Sequence, residues 1–286
     1  MFSTMFLMTI MTLLMVFIGN YFGGEQGMLI MLVISCVSNF IMYWNSDKMA
    51  LAQYQATQVD ANTAPELYGI VQKLAERGGL PMPRVYVVNS AVPTAFATGR
   101  NPEHAAVCVT SGIMKILSPE ELSGVLGHEL SHVKHNDILL SSVVASMAGV
   151  ISMMSRFGMY AGTGRRDNEN RSPIAGLLML ILAPLAAMLI QLAISRSREY
   201  MADYSGGILC GNPDYLASAL DKIDAIATQR TLPNASPSTA HMFIVSPFSA
   251  QDAKALFSTH PATEDRIKKL QEESEEMRAG KKLEYK

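Results

Sequence analysis

Two apolar stretches open the chain. Residues 2–22 carry no charged side chain, and 27–44 continue in kind after a polar break of Gly23, Gly24, Glu25 and Gln26. A helix needs roughly 20 mostly apolar residues to cross a bilayer, so the pattern predicts a transmembrane helical hairpin over 1–45. A cleaved signal peptide is the competing reading of the first stretch. The start is not basic, no small-residue cleavage site stands out, and a second apolar stretch follows at once, so an uncleaved anchor fits better. Two further apolar runs cover 138–154 and 174–194. The first is short and rich in Ser, Ala and Gly; the second is long enough to span and holds Pro184, which would kink it. Each reads as a membrane-embedded helix or as a buried core helix. Arg156, Arg165, Arg166 and Arg171 between them sit badly with a full crossing, because Arg-rich loops stay on the cytoplasmic side.

Between and beyond these runs the pattern changes period. Over 60–77, Leu67, Ile70, Val71 and Leu74 recur at helical spacing, and Gly78, Gly79, Pro81 and Pro83 end the helix. Arg84–Val88 alternates as a strand does. Ala95–Thr98, ended by Gly99, and residues 105–110 read as two more strands joined by a polar turn. Either could be a sheet edge that takes an extended peptide by backbone hydrogen bonds. Ser118, Pro119 and Glu121 form a helix start with capping serine, first-turn proline and third-position carboxylate. That helix is expected over 119–132, with nothing in the pattern to stop it from running on into the apolar run at Ile138. Residues 195–205 and 212–228 read as helices, 231–248 as a loop or flap, and 263–286 as a solvated helix fraying into a tail.

The expected architecture is therefore α+β: a mainly helical domain with a small β-sheet, plus transmembrane helices. It divides into the hairpin (1–45), a first part of the domain (46–137), two apolar helices (138–194) and a second part (195–286). Composition agrees: 49% of residues are hydrophobic and 17% charged, against roughly 25% charged in soluble domains. A net charge of −2 gives no footprint for nucleic acid. Cys36, Cys108 and Cys210 are three, without a CxxC pair, and read as reduced thiols in a cytosol-like compartment. Lys48 follows the second stretch while the first loop has no Lys or Arg, a bias that puts the part after the hairpin in the cytoplasm.

The chemistry concentrates in Gly127-His128-Glu129-Leu130-Ser131-His132. Residues four apart share a helix face, so His128 and His132 can bind one metal ion, with Glu129 beside them as general base toward a water. Imidazole and carboxylate ligands in a tetrahedron suit zinc and leave one position open. A third ligand is available at Glu199, with Asp203 one turn further on to accept the N–H of a ligand histidine; a solvated acidic face is the plainer account of that pair. Arg196 and Tyr200 could donate to an oxyanion, though packing beside the membrane explains each more simply. Since 138 follows His132 closely and 194 precedes Glu199 closely, the two apolar runs leave from one ligand segment and return to the other, which puts the metal near the bilayer surface.

These stretches resemble the HtpX heat-shock membrane proteases, within the wider class that includes the CaaX-prenyl proteases. The resemblance is carried by 127–132 with Val133-Lys134-His135-Asn136-Asp137, by Arg198-Glu199-Tyr200 with Ala202-Asp203, by Ala95-Phe96-Ala97-Thr98-Gly99, and by Ser258-Thr259-His260-Pro261 with Arg266-Ile267. It covers nearly the whole chain. It implies a zincin-like metalloprotease domain whose catalytic parts are 46–137 and 195–286, one zinc ion on His128, His132 and Glu199, catalysis by Glu129, and a site on the cytoplasmic side of a bacterial inner membrane. It further implies quality control of unfolded or damaged membrane proteins. His260 matches the resembled motif as an oxyanion or buttressing residue, or as a helix-capping one. The competing functions are an inactive metal-binding scaffold, against which the intact Glu129 speaks, and a narrow CaaX-like processing protease, for which the few spans leave little room.

Overall fold

The computed structural model describes residues 2–144, 196–229, 244 and 261–281. Helix α1 (Phe2–Gln53) is two arms joined at Gly24, whose φ of 57° and ψ of −146° break the helix. Glycine adopts positive φ without steric cost, which is why the turn can be this tight. The arms then press together: a Cβ on Gly19 would meet the carbonyl oxygen of Gly27 at 2.4 Å. Further along, Asn39 Nδ2 donates to Thr12 Oγ1 at 2.9 Å across the pair. The outward apolar side chains, among them Leu13, Phe17, Leu29, Val33, Val37 and Phe40, stay exposed, as befits helices solvated by lipid. Both arms are long and apolar enough to cross a membrane.

The second arm does not stop near residue 45 as expected. It continues to Gln53, and Ala50 and Leu51 are buried beneath the sheet with Val88, Phe96, Ala106 and Cys108. That sheet has four strands: β1 (Thr57–Val59), β2 (Arg84–Val88), β3 (Ala95–Thr98) and β4 (Ala106–Thr110), in the order β1-β2-β4-β3. β2 and β4 are parallel, while β1 on β2 and β3 on β4 are antiparallel. β4 is therefore interior, and of the two strands read as possible edges only β3 is one. Val85, Ala95, Ala97, Val107 and Val109 turn to the other face, into the main core with α2 (Pro65–Gly78) and α4 (Pro119–Lys134).

α4 begins as expected. Ser118 Oγ accepts from the Glu121 amide at 3.2 Å and Glu121 Oε2 from the Ser118 amide at 2.8 Å, satisfying two donors that the first turn leaves free. A short helix, α3 (Ser111–Ile116), precedes it, and neither it nor β1 was read from the sequence. α4 does not run on into the apolar segment. It ends at Lys134, Asn136 takes a φ of 59°, and a new helix starts at Ile138 and is described to 144. There Leu139, Leu140, Val143 and Val144 are buried with Met8, Met11, Met42 and Tyr43 of the hairpin. The rest of 138–194, including the question of its depth, lies outside the described residues, as does nearly all of the expected flap at 231–248.

α5 (Arg196–Cys210), α6 (Pro213–Gln229) and α7 (Thr263–Arg278) complete the domain. α7 is more than a solvated helix: Arg266, Leu270 and Ser274, spaced at four residues, are buried on its inner face.

Candidate active site

Two helices meet backbone to backbone at the centre. A Cβ on Gly127 would lie 2.8 Å from the Gly206 carbonyl oxygen, and one on Gly206 would lie 2.6 Å from the His128 amide nitrogen. Only paired glycines let α4 and α5 approach this closely. The approach brings the Glu199 carboxylate to the histidines of α4, 67 residues away in sequence (199 less 132). His128 Nε2 lies 3.7 Å from Glu199 Oε2, His132 Nε2 lies 3.6 Å from Glu199 Oε1, and the two Nε2 atoms are 3.2 Å apart.

Those separations test whether a metal fits. Donors about 2.0–2.1 Å from a tetrahedral ion lie about 3.3 Å from one another, close to all three. The three residues are also the cluster of potential metal ligands found among the described residues. Both histidines have their other nitrogen occupied: His128 Nδ1 faces Asp203 Oδ1 at 2.9 Å and His132 Nδ1 faces Asp137 Oδ2 at 3.4 Å. Carboxylates at Nδ1 leave each Nε2 lone pair for the shared centre. The local field points the same way. Burial disfavours charge on His132, but the Asp137 hydrogen bond and the charges of Glu199 and Glu129 outweigh it and raise its pKa to about 9. A site that attracts a proton so strongly attracts a cation.

Glu129 is buried, and its Oε2 accepts from the Ala97 amide of β3 at 2.8 Å. Burial pushes its carboxyl above the ordinary value, opposed by His128 and His132. Around the cluster runs a buried ionic layer. Arg266 on α7 donates to Asp203 twice, Nε to Oδ2 at 2.8 Å and Nη2 to Oδ1 at 2.7 Å, and its Nη1 donates to the Ile244 carbonyl at 2.6 Å. Burial alone would raise the Asp203 pKa, yet the charge and hydrogen bonds of Arg266, with His128, hold it at about 2.

The structure thus brings together His128, Glu129, His132, Glu199 and Asp203, all named from the sequence. His260 lies outside the described residues. Tyr200 packs under Lys269, whose Nζ is 3.3 Å from its ring centroid, and Arg196 is exposed at the start of α5. Sequence reasoning gave no role to Asp137, Arg198 or Arg266. Arg198 Nη1 reaches Asp137 Oδ1 at 3.5 Å, tying the histidine that ends α4 to the helix carrying Glu199. All three stood in the quoted motif stretches; what was missing was the spatial pairing that turns a charged residue into a buried support.

An HExxH helix crossed by a glutamate-bearing helix beside a small mixed sheet, with two apolar helices attached, defines a membrane metalloendopeptidase. The comparisons with known proteins narrow the class. The chain belongs to peptidase family M48, whose family model matches residues 61–274. A protease HtpX homolog of Methylibium petroleiphilum is 52% identical over 270 residues, 94% of this chain and 95% of that protein. One from Paraburkholderia phytofirmans is 51% identical over 272 residues, with the same shares covered. The crystal structure of S. mikatae Ste24p shares the fold at a TM-score of 0.50 and 18% identity. The match covers 91% of this chain and 62% of that one.

Proposed function

We propose that this chain is a zinc endopeptidase that cuts unfolded or damaged membrane proteins at the cytoplasmic face of a bacterial inner membrane. The observation that carries the reading is the trio of His128 Nε2, His132 Nε2 and the Glu199 carboxylate at 3.2–3.7 Å from one another, with Glu129 on the same helix. One zinc per chain would be held by these three residues. When bound, zinc acts as a Lewis acid on the scissile carbonyl and on the attacking water.

The remaining chemistry belongs to the chain. Glu129 takes a proton from the attacking water and passes it to the leaving amine. Its raised pKa suits both halves of that exchange better than an ordinary carboxylate would. Asp203 and Asp137 hold the histidine rings in place, and Arg266 keeps Asp203 ionised. β3 offers the docking edge. The Thr110 amide donates to the Thr94 carbonyl at 3.0 Å, so with antiparallel alternation Ala95 and Ala97 turn their backbone groups away from β4, the Ala97 amide being the one that Glu129 Oε2 takes. An extended segment that pairs there is read by its backbone rather than its side chains, which supports broad specificity for unfolded chain. The cytoplasmic placement draws on Lys48 after the second span and on the uncharged-by-cation first loop.

The test is metal analysis and casein cleavage on purified protein. Wild type should carry near-stoichiometric zinc and cut; Glu199→Ala should lose the zinc, and Glu129→Gln should keep it and not cut. Equal cutting by Glu129→Gln and wild type would overturn the mechanism.

A further inference from the structure

Two contacts of the second arm of α1 and the residue that follows it with the β3 segment fix how the docking edge stands relative to the bilayer. At one end, the Arg100 guanidinium sits 4.5 Å from the centroid of the Trp44 ring. At the other, Tyr54 packs on Phe96 with ring centroids 5.2 Å apart. Trp44 closes the apolar part of the arm and remains 46% exposed; tryptophan at such a position sits at headgroup level. The arm rises from Trp44 to its end at Gln53, nine residues or about 14 Å of helix, and Tyr54 follows at once. Phe96 lies within β3, and Arg100 two residues past its end at Thr98. As the chain number rises along the arm from Trp44 to Tyr54 it falls from Arg100 to Phe96, so the strand lies antiparallel to the arm. The arm leaves the membrane; β3 runs toward it.

A third contact sets the same level. Ser142, in the helix that starts at Ile138, shares a 2.7 Å hydrogen bond with Thr98 Oγ1 and receives the Gly99 amide at 3.0 Å. Its neighbours Val143 and Val144 pack in one cluster with Met42 and Tyr43, the residues just before Trp44. The membrane-side end of β3 is thereby pinned to two apolar segments.

We infer that the active site takes extended segments that leave the bilayer roughly along its normal and cuts them at a set height. Glu129 receives the Ala97 amide, and Ala97 is three residues, at most about 10 Å of chain, from the Arg100 level. A membrane-anchored substrate should thus be cut no nearer than about three residues from the end of its span. This deepens the proposed endopeptidase reading by naming the substrate geometry, and it rests on that reading.

The experiment uses the full-length zinc-loaded protein in phosphatidylethanolamine–phosphatidylglycerol vesicles. Co-reconstituted substrates carry one transmembrane helix followed by an unfolded Ala/Ser/Leu tail, and a spacer series shifts the tail sequence outward residue by residue. Cut positions are read by mass spectrometry. The expected result is a cut window whose inner limit keeps a constant distance from the span whatever sequence falls there. Bonds inside that limit should be cut on the order of a hundred-fold more slowly, as for a misplaced reacting group. In Arg100→Ala the inner limit should blur by several residues. If cut positions instead follow the tail sequence outward through the series, the height rule is wrong even though proteolysis stands. If neither these substrates nor casein in detergent is cut, the endopeptidase reading fails and takes the inference with it.

Discussion

Arg266 and Asp203 form a doubly hydrogen-bonded pair with side chains only 1% and 3% exposed, and Asp203 in turn faces His128 Nδ1. A side chain on α7 thus reaches the ring of a proposed metal ligand through one intermediary. Breaking such a pair leaves a buried charge uncompensated, at a cost of about 3–5 kcal/mol. Arg266→Ala should unfold at markedly lower urea concentration than wild type. Arg266→Lys should recover only part of the loss, because an ammonium cannot reproduce the two-pronged contact. Urea unfolding followed by circular dichroism checks both, and an Ala variant as stable as wild type would contradict the role given to the pair.

Removing the carboxylate one step closer to the histidine should weaken the metal site as well as the fold, since it also leaves Arg266 without its buried counter-charge. Asp203→Asn keeps the shape and loses the charge. Zinc affinity, measured by competition with a chelator, should fall on the order of 10–100-fold. Asp137→Asn should act in the same direction through His132, and more weakly, since that contact is 3.4 Å.

The glycine crossing makes a different prediction. Gly206→Ala places a methyl carbon 2.6 Å from the His128 amide nitrogen, which the two helices can accommodate only by moving apart. Overpacking of this kind costs about 1–3 kcal/mol, and it also draws Glu199 away from His128 and His132. Zinc stoichiometry should drop in Gly206→Ala even at temperatures where the protein stays folded. Full zinc occupancy in a folded Gly206→Ala would show that the close approach does not set the site.

Stability should also depend on pH through Glu273. Its Oε2 is buried without a hydrogen-bond partner. Burial, with Asp203 and Glu276 nearby, pushes its pKa from 4.5 up to about 7 against the pull of Lys269. The unfolded chain releases this proton near pH 4.5, while the folded protein holds it to about 7. The folded state therefore binds more protons in that window, and stability present below pH 4.5 is lost as pH rises through 7. Glu273→Gln should flatten this part of the profile. Urea midpoints at pH 5 and pH 7.5 suffice to see it: the drop between them should be smaller in the variant, and an equal drop would assign the effect elsewhere.

What the sequence revealed was what short-range pattern can encode. The Ser118–Glu121 cap, the i, i+4 histidines and the hairpin break within 23–26 are local, and the structure has each of them, the break falling at Gly24. Pairing at long range was harder to see. β1 has only three residues and exists because β2 lies beside it. Residues 46–53 are mixed in polarity, and nothing local says that a sheet will cover Ala50 and Leu51. α7 is so charged that its buried stripe is masked, the more so because the stripe begins with an arginine. Arg266 reads as a surface residue until Asp203, 63 positions earlier, is known to meet it. The edge role of β3 likewise depended on strand order, which alternation alone does not give.

The second arm of α1 serves two solvents along a single rod, lipid before Trp44 and protein interior after it. Cutting the chain at the lipid boundary to obtain a water-soluble fragment would strip a layer from beneath the sheet instead of releasing a finished enzyme. A soluble version would have to retain the stretch from Ser46 onward and give Leu139, Leu140, Val143 and Val144 a new apolar neighbour in place of the hairpin.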